Sequence, residues 1–321
     1  MTSPRARSDR PLASVVIPTY NDFDLLLGAI EQVKAQTWPN VETIVVDDGS
    51  DAVVVPRLAR LHESYPGITV RRHLANQGVP AALQSGLEHA RGKYIYFSST
   101  NDLIEPQFLE ASIDALTRHE HAGMCFSDAG TVEGWSSARR AFPLHLAPGE
   151  TWFPPDKLAA RLRHRPFHIS TNTVVFRTKA VRAIGGCRPE LGLYADWYTC
   201  MVTALRKGAV YLPRTMTYFR VHGGAYSGTA RWDAGARARL AAATIRAIGA
   251  EAPEVSARLR RSAALSDFGL PVLLALMRDP HCRGVIGAEA LWVALLRTGW
   301  RRMLPRGGRR LLRRVAMRPA A

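Results

Sequence analysis

Short apolar runs rich in β-branched and aromatic residues recur through the first half of the chain, at 14–18, 42–46, 69–72, 94–97 and 124–126. Between them, 24–36, 56–65, 79–90 and 106–119 carry apolar residues at helical spacing, and Pro106 suits the first turn of its helix. Strand and helix patterns that alternate in this way predict a parallel sheet with helical crossovers, as in nucleotide-binding α/β folds. Residues 128–168 are richer in Pro, Trp, Arg and His, with weak periodicity, and read as a long excursion out of the sheet. A strand at 173–176, a turn at Gly185 and Gly186, a helix over 196–207 and an extended segment at 215–221 follow. Beyond about 230 the chain turns Ala/Arg/Leu-rich and helical. The division this predicts is a basic N-terminus over 1–11, an α/β domain over 12–230 and a basic helical extension over 231–321.

Composition narrows the partners. Lys and Arg number 43 against 27 Asp and Glu, a net charge of +16, which favours phosphates, anionic lipid or nucleic acid. Much of the excess lies near the end, where arginines from Arg301 to Arg318 interleave with Leu304, Leu311, Leu312 and Val315 as a basic amphipathic tail. Cys125, Cys187, Cys200 and Cys282 are far apart and lack ligand-type spacing, so neither a disulfide framework nor a zinc site is indicated. The N-terminus lacks the pattern of a secretion signal, and Asp267, Arg278, Arg283 and Arg297 interrupt the apolar segments before any reaches the ~20 residues needed to span a bilayer. The expected location is the cytoplasm, with peripheral attachment to the inner face of the cell membrane.

In an open parallel sheet, ligands bind beyond the carboxyl ends of the strands. The polar residues that follow the apolar runs are Pro18, Thr19, Tyr20, Asn21 and Asp22; then Asp47, Asp48, Gly49, Ser50 and Asp51; then Ser98 through Asp102. Carboxylates at such ends can accept hydrogen bonds from a pyrimidine imide or ribose hydroxyls. Asp-Asp-Gly-Ser is equally good turn and cap chemistry.

SVVIPTYND at 14–22, taken with DDGS at 47–50, resembles the opening of the family 2 glycosyltransferases. The likeness continues in family order through Asn76 and Gly78, ARGKYIYF, FSSTNDLIEP, GGCRPELGLYADWY and YFRVHGG, over about residues 12–228. It implies a GT-A fold, Rossmann-like, with a mostly parallel central sheet flanked by helices. It also implies transfer of a sugar, with inversion, from a nucleotide-diphosphate sugar to a glycan or lipid-linked acceptor hydroxyl, uridine being the expected base and surface polysaccharide assembly the expected setting.

By the same resemblance, Pro18, Thr19, Tyr20, Asn21, Asp47, Asp48, Asn76, Gly78, Ser99, Asn101 and Arg220 are the nucleotide-sugar-binding candidates. The family's acidic metal element is depleted here to Ser99-Thr100-Asn101-Asp102. Either Asp102 and His222 hold Mn²⁺ or Mg²⁺ together with neutral oxygens, or basic residues replace the ion. Asp196 stands where the family places its catalytic base, although the acid that usually precedes it is Ala195. One base suffices for a single inverting displacement, and Asp is also a good helix N-cap. Trp197 and Tyr198 are expected to pack rather than stack on sugar, beside an acceptor-side loop at 189–194.

The extension carries no catalytic signature. Its segment 288–300 sets Trp292 and Trp300 beside arginines, a pattern suited either to a membrane interface with anionic lipid or to a solvated helix packing its leucines on the catalytic domain. Two rivals stand beside the transferase reading: a catalytically weak nucleotide-sugar-binding subunit, and a nucleic-acid-binding protein. No nucleic acid is expected, because no recognisable module accompanies the charge.

Overall fold

Val15, Val16 and Ile17 are fully buried because β1 (Ala13–Thr19) lies inside a sheet covered on both faces. In the computed structural model, which describes residues 10–134, 138–221 and 233–303, ten strands form one sheet. β2 (Val41–Asp47), β3 (Thr69–Arg72) and β4 (Tyr94–Phe97) join β1 in the order β3-β2-β1-β4, every pairing parallel. β9 (Val174–Arg177) then runs antiparallel to both β4 and β6 (Met124–Glu133), and β10 (Ala209–Val221) lies parallel to β6. The long strands therefore share one direction and β9 alone among them is reversed. Short β5 (Leu103–Ile104), β7 (Arg139–Phe142) and β8 (Thr151–Phe153) pair antiparallel at the edges.

Side chains alternate between two cores. Val16, Ile95 and Phe97 enter one, and Val15, Ile17, Tyr94 and Tyr96 the other. The second core lies under α1 (Phe23–Lys34), which buries Phe23, Leu26, Ile30 and Val33; short α2 (Val55–Ala59) and α3 (Leu61–Ser64) add Leu58 and Leu61. The first lies under α4 (Val79–His89), which begins with Pro80 in its first turn. Gly86 lets α4 close on β1: an added Cβ would stand 2.2 Å from Val16 Cγ1. α5 (Phe108–Arg118) returns to the second core, with Phe108 edge-on to Tyr96.

Residues 128–168 correct the expected excursion. β6 continues to Glu133, β7 pairs with it, β8 pairs with β10, and α6 (Pro155–His164) follows. Asp128 hid this continuation, as a carboxylate inside a strand breaks the apolar pattern. It is 3% exposed and accepts hydrogen bonds from the Tyr211 hydroxyl (2.8 Å) and Leu144 N (2.8 Å). β10 also starts earlier than expected, with a register shift between Leu212 and Thr215, where Pro213 has no N–H to give.

After α7 (Thr178–Arg182) and α8 (Ala195–Lys207), the extension forms α9 (Ala234–Glu251), α10 (Pro253–Arg260), α11 (Leu270–Met277) and α12 (Ala288–Met303). These helices share the first core. Phe268 meets Tyr194 at 4.3 Å and Trp197 at 4.8 Å between ring centroids. Trp197 and Tyr198 are buried, as packing residues are. On α12, Ala290 and Ala294 face inward while Trp292, Leu295 and Leu296 are exposed; Leu274 and Met277 of α11 are exposed too. Leu291 packs against the first core, while Leu295 and Leu296 are about half exposed. No helix among the described residues is long and apolar enough to cross a membrane. The basic tail beyond 303 and the proposed boundary near 230 lie outside the described residues.

Candidate functional site

Shared strand direction brings the carboxyl ends of β1, β2, β3, β4 and β10 to one edge. The crevice between β1 and β4 is where the chain reverses its order of strand addition, the usual place for a ligand in such a sheet. Thr19 ends β1 opposite Asp47, and the turns beyond are clamped together. Asn21, held at φ 57°, receives Asp51 N on its Oδ1 (2.8 Å), gives its Nδ2 to Asp51 Oδ2 (3.0 Å), and its own N–H reaches Ser50 Oγ (2.9 Å). Tyr20 beside it is exposed, Pro18 is buried in the strand, and the Thr19 hydroxyl is buried without a partner.

Asp47 and Asp48 do different work. Asp47 is fully buried, accepts Ser50 N (3.1 Å) on Oδ1, and sets Oδ2 3.0 Å from Arg72 Nε. Arg72 Nη2 also donates to Ser50 O (3.0 Å). Asp48 is saturated from within: His73 Nδ1 (2.7 Å), Gln77 N (3.0 Å) and Gly78 N (2.7 Å) all meet its carboxylate. It therefore ties the 73–78 loop to the β2 turn. Asn76 Oδ1 also accepts from Gly78 N (3.1 Å), and Gly78 opens α4 at φ 91°. Gly49 makes the approach of this loop feasible, since a Cβ there would stand 2.5 Å from the Ala75 carbonyl carbon and φ is +77°.

Beyond β4, Ser99 Oγ accepts Asn101 N (3.2 Å), and Asn101 Oδ1 is buried without a partner. Burial pushes the Asp102 carboxyl up to about 6, against the pull of the Asn172 amide and of the Arg220 main-chain N–H and charge. Arg220, on β10, also donates Nη1 to Gly134 O. Asp196 lies in the first turn of α8 but is not its N-cap, which is Tyr194. It is exposed, yet protein crowds it closely enough that desolvation raises its carboxyl above the ordinary value, tempered by the charge of His168 and by the Thr171 hydroxyl. Thr171 and Asn172, consecutive on the 3-10 turn Thr171–Thr173 that leads into β9, thus stand next to Asp196 and Asp102 respectively.

The family model "Glycosyl transferase family 2" matches residues 14–184, more than half of the chain. The chain belongs to glycosyltransferase family 2. An uncharacterized glycosyltransferase, YibD, of Escherichia coli (strain K12) is 32% identical over 130 residues, 39% of this chain and 37% of that protein. The putative glycosyltransferase EpsH of Bacillus subtilis (strain 168) is 33% identical over 102 residues, 32% of this chain and 29% of that one. This family 2 chain thus spans well under half the length of these relatives. Among solved structures, S. aureus TarS 1-349 in complex with UDP-GlcNAc superposes with a TM-score of 0.62 at 16% identity, covering 89% of this chain and 92% of that one. The mannosyltransferase PcManGT from Pyrobaculum calidifontis, in complex with GDP-Man and Mn²⁺, gives 0.56 at 20% identity over 97% and 86%. At such identities the likeness is one of fold, and the fold is GT-A.

For this family 2 site, cation capacity rests on few groups. Among the described residues no three His, Cys, Asp or Glu converge to hold a metal ion. Asp102 offers one carboxylate and Asn101 Oδ1 a buried, unpartnered oxygen, both of the hard type that suits Mg²⁺ or Mn²⁺. His222 lies outside the described residues. Sequence reasoning missed Arg72 and His73, although they stand at the end of β3 as Asp47 and Asp48 stand at the end of β2, and the same edge rule would have found them. It also missed Thr171 and Asn172, which precede a strand and reach the edge only because β9 is reversed.

Proposed function

We propose that this chain transfers a sugar from a nucleotide-diphosphate sugar, with inversion, to a hydroxyl of a glycan or lipid-linked acceptor. The observation that carries the reading is the gathering of Thr19, Asp47, Asp102 and Arg220 where β1, β2, β4 and β10 reach the ligand edge of the sheet, with Tyr218 of β10 paired to Leu103 beside Asp102. The base candidate Asp196 opens α8, and the ion-binding candidate Asp102 follows β4. Asp47 and Thr19, both buried, form the floor beneath the nucleoside, and Arg72, held by Asp47 and half exposed, lies alongside to meet it. Asp48, Asn76 and Gly78 shape the loop that closes over it, while Pro18, Tyr20, Asn21 and Ser99 form its walls.

In the reaction, Asp196 takes the acceptor proton while the acceptor oxygen forms a bond to the anomeric carbon. The bond from that carbon to the diphosphate oxygen breaks on the opposite face, so its electron pair leaves with the nucleoside diphosphate. The raised pKa of Asp196 makes it a stronger base than an ordinary carboxylate. Arg220 supplies fixed positive charge beside the departing group. Asp102 and the Asn101 amide oxygen are the residues that would hold Mg²⁺ or Mn²⁺, which supplies further charge against the diphosphate when bound.

Uridine is the expected base, in keeping with the UDP-GlcNAc bound to TarS, although PcManGT holds GDP-Man. The exposed stripe of Trp292, Leu295 and Leu296, with Leu274 and Met277, supports peripheral docking of the extension on an anionic membrane, where a lipid-linked acceptor for surface polysaccharide would lie. That surface is the cytoplasmic face of the cell membrane. The test is thermal unfolding with UDP, GDP, dTDP, ADP and CMP, each with and without Mn²⁺, since a ligand of the folded state raises its apparent stability. The reading requires a selective rise with one nucleoside diphosphate; an unchanged midpoint with all five would overturn it.

A further inference from the structure

A cavity of ≈ 380 Å³ lies where the helical extension meets the first turn of α8, apart from the strand-edge residues described above. Tyr194, Trp197 and Phe268 give it aromatic walls; Arg237, Arg297 and His168 bring positive charge, and Ser266 and Asp267 complete the polar side. Tyr194, Trp197 and Ser266 are at most 5% exposed. Even so, Trp197 Nε1 and Ser266 Oγ reach no hydrogen-bond partner, and Tyr194 Oη and Arg237 Nε have none beyond the approach of the Arg237 side chain to the Tyr194 hydroxyl. A buried polar atom left without a full partner is destabilising, so a group of them around one cavity marks a place where partners arrive from outside the chain.

The kind of partner follows from the chemistry of those atoms. An indole N–H and a guanidinium N–H only donate, and the two hydroxyls can donate, so the occupant must present acceptor oxygens. Charge points the same way. Asp267 is the lining carboxylate, and it is shared by Arg297 Nη1 (3.0 Å) and His168 Nδ1 (3.4 Å). Arg237 has no carboxylate within ion-pair distance among the described residues; its Nη2 donates to Phe268 O (3.2 Å). The lining thus carries surplus positive charge facing unsatisfied donors, and its volume is in the range of small-ligand sites. His168 also lies near enough to Asp196 for their charges to interact, which sets the cavity beside the base candidate.

We propose that this cavity binds an oxyanion, phosphate or carboxylate, carried on the acceptor saccharide whose hydroxyl reaches Asp196. The inference rests on the transferase reading and narrows its acceptor to an acidic one. The whole chain of 321 residues, saturated with the nucleoside diphosphate that stabilises it so that the donor site is occupied, is titrated with glucose 1-phosphate, glucuronate, inorganic phosphate and methyl glucoside while thermal unfolding is followed. A saturable rise is expected with glucose 1-phosphate or glucuronate, whichever matches the natural anion, and none with the neutral glucoside. Arg237→Gln weakens that effect by about tenfold, as expected for one charge-assisted hydrogen bond, and leaves the nucleotide shift unchanged. Ser266→Ala, a nearly isosteric change, weakens it several-fold and serves should Arg237→Gln fail to fold. Equal effects of charged and neutral sugars, no effect of any anion, or an undiminished effect in the variants would overturn the proposal. Inorganic phosphate acting as well as glucose 1-phosphate would overturn the acceptor part, leaving a free-anion site. A protein that no nucleotide stabilises refutes the transferase reading itself, whereas one stabilised by nucleotide but by no oxyanion refutes the cavity alone.

Discussion

Replacing Asp102 by Asn should stabilise the metal-free protein, and the gain should depend on pH in a defined direction. Burial raises the Asp102 carboxyl from 3.8 to about 6. Between those values the folded state holds a proton that the unfolded state has lost, so wild-type stability falls as pH rises through the window. A difference of about two pKa units corresponds to about 3 kcal/mol at neutral pH, an upper figure because the site is partly open to water. Asn keeps an oxygen to accept the Arg220 N–H and removes the charge. Thermal unfolding in chelator-containing buffer should therefore give similar midpoints for both proteins near pH 4. Asp102→Asn should then run a few degrees higher, levelling off above about pH 6 to 7. The same variant should lose any Mn²⁺-dependent part of the nucleotide shift. A variant less stable than wild type at pH 8, or a difference that does not change with pH, would refute the reasoning.

Asp196→Asn is expected to lower transfer by roughly 10²–10⁴-fold while nucleotide binding by calorimetry stays intact; unaltered turnover would remove Asp196 from the base role. Because desolvation raises the Asp196 carboxyl, the acid limb of the rate profile should lie above the ordinary carboxylate range, as the base must be ionised to act. Asp48→Ala strips the partners from His73 and from two main-chain N–H groups, so urea denaturation should show a loss of about 3 kcal/mol or more, accompanied by weaker nucleotide binding. Trp292→Glu combined with Leu295→Glu should cut sedimentation with phosphatidylserine vesicles by about tenfold or more without lowering the unfolding midpoint; undiminished binding would sink the membrane assignment.

Much of the donor half was legible from local pattern. β1, β2 and β4 have short, mainly apolar interiors and α1 and α4 a regular apolar stripe, so periodicity finds them within a residue or two, although the single helix expected over 56–65 is broken into α2 and α3; the edge rule then points at Thr19, Asp47 and Asp102. Where polar residues are satisfied by distant ones, the pattern failed. Asp128 relies on Tyr211 and Leu144, far off in sequence, and its charge disguised a strand interior as a loop. The split between Asp47 and Asp48 was equally invisible, because adjacent carboxylates look alike until one is seen to hold the 73–78 loop. On α12 the inward contacts fall to Ala290, Leu291 and Ala294, leaving Trp292, Leu295 and Leu296 exposed, a division that composition alone does not reveal.

The reversal of β9 has a further consequence. A strand running with its neighbours would deliver its carboxyl end to the ligand edge, and with it whatever loop length follows. A reversed strand delivers its amino end, and the 3-10 turn there is pinned on one side by the sheet and on the other by α8. The turn therefore enters from the side opposite to the other loops, with Thr171 Oγ1 3.5 Å from Cys200 Sγ of α8 and Asn172 O accepting the Tyr96 hydroxyl of β4 (3.2 Å). Insertions in the other loops can reshape what enters the crevice, but a residue added between Thr171 and Asn172 would have to be absorbed between the sheet and α8, where both neighbours are already packed.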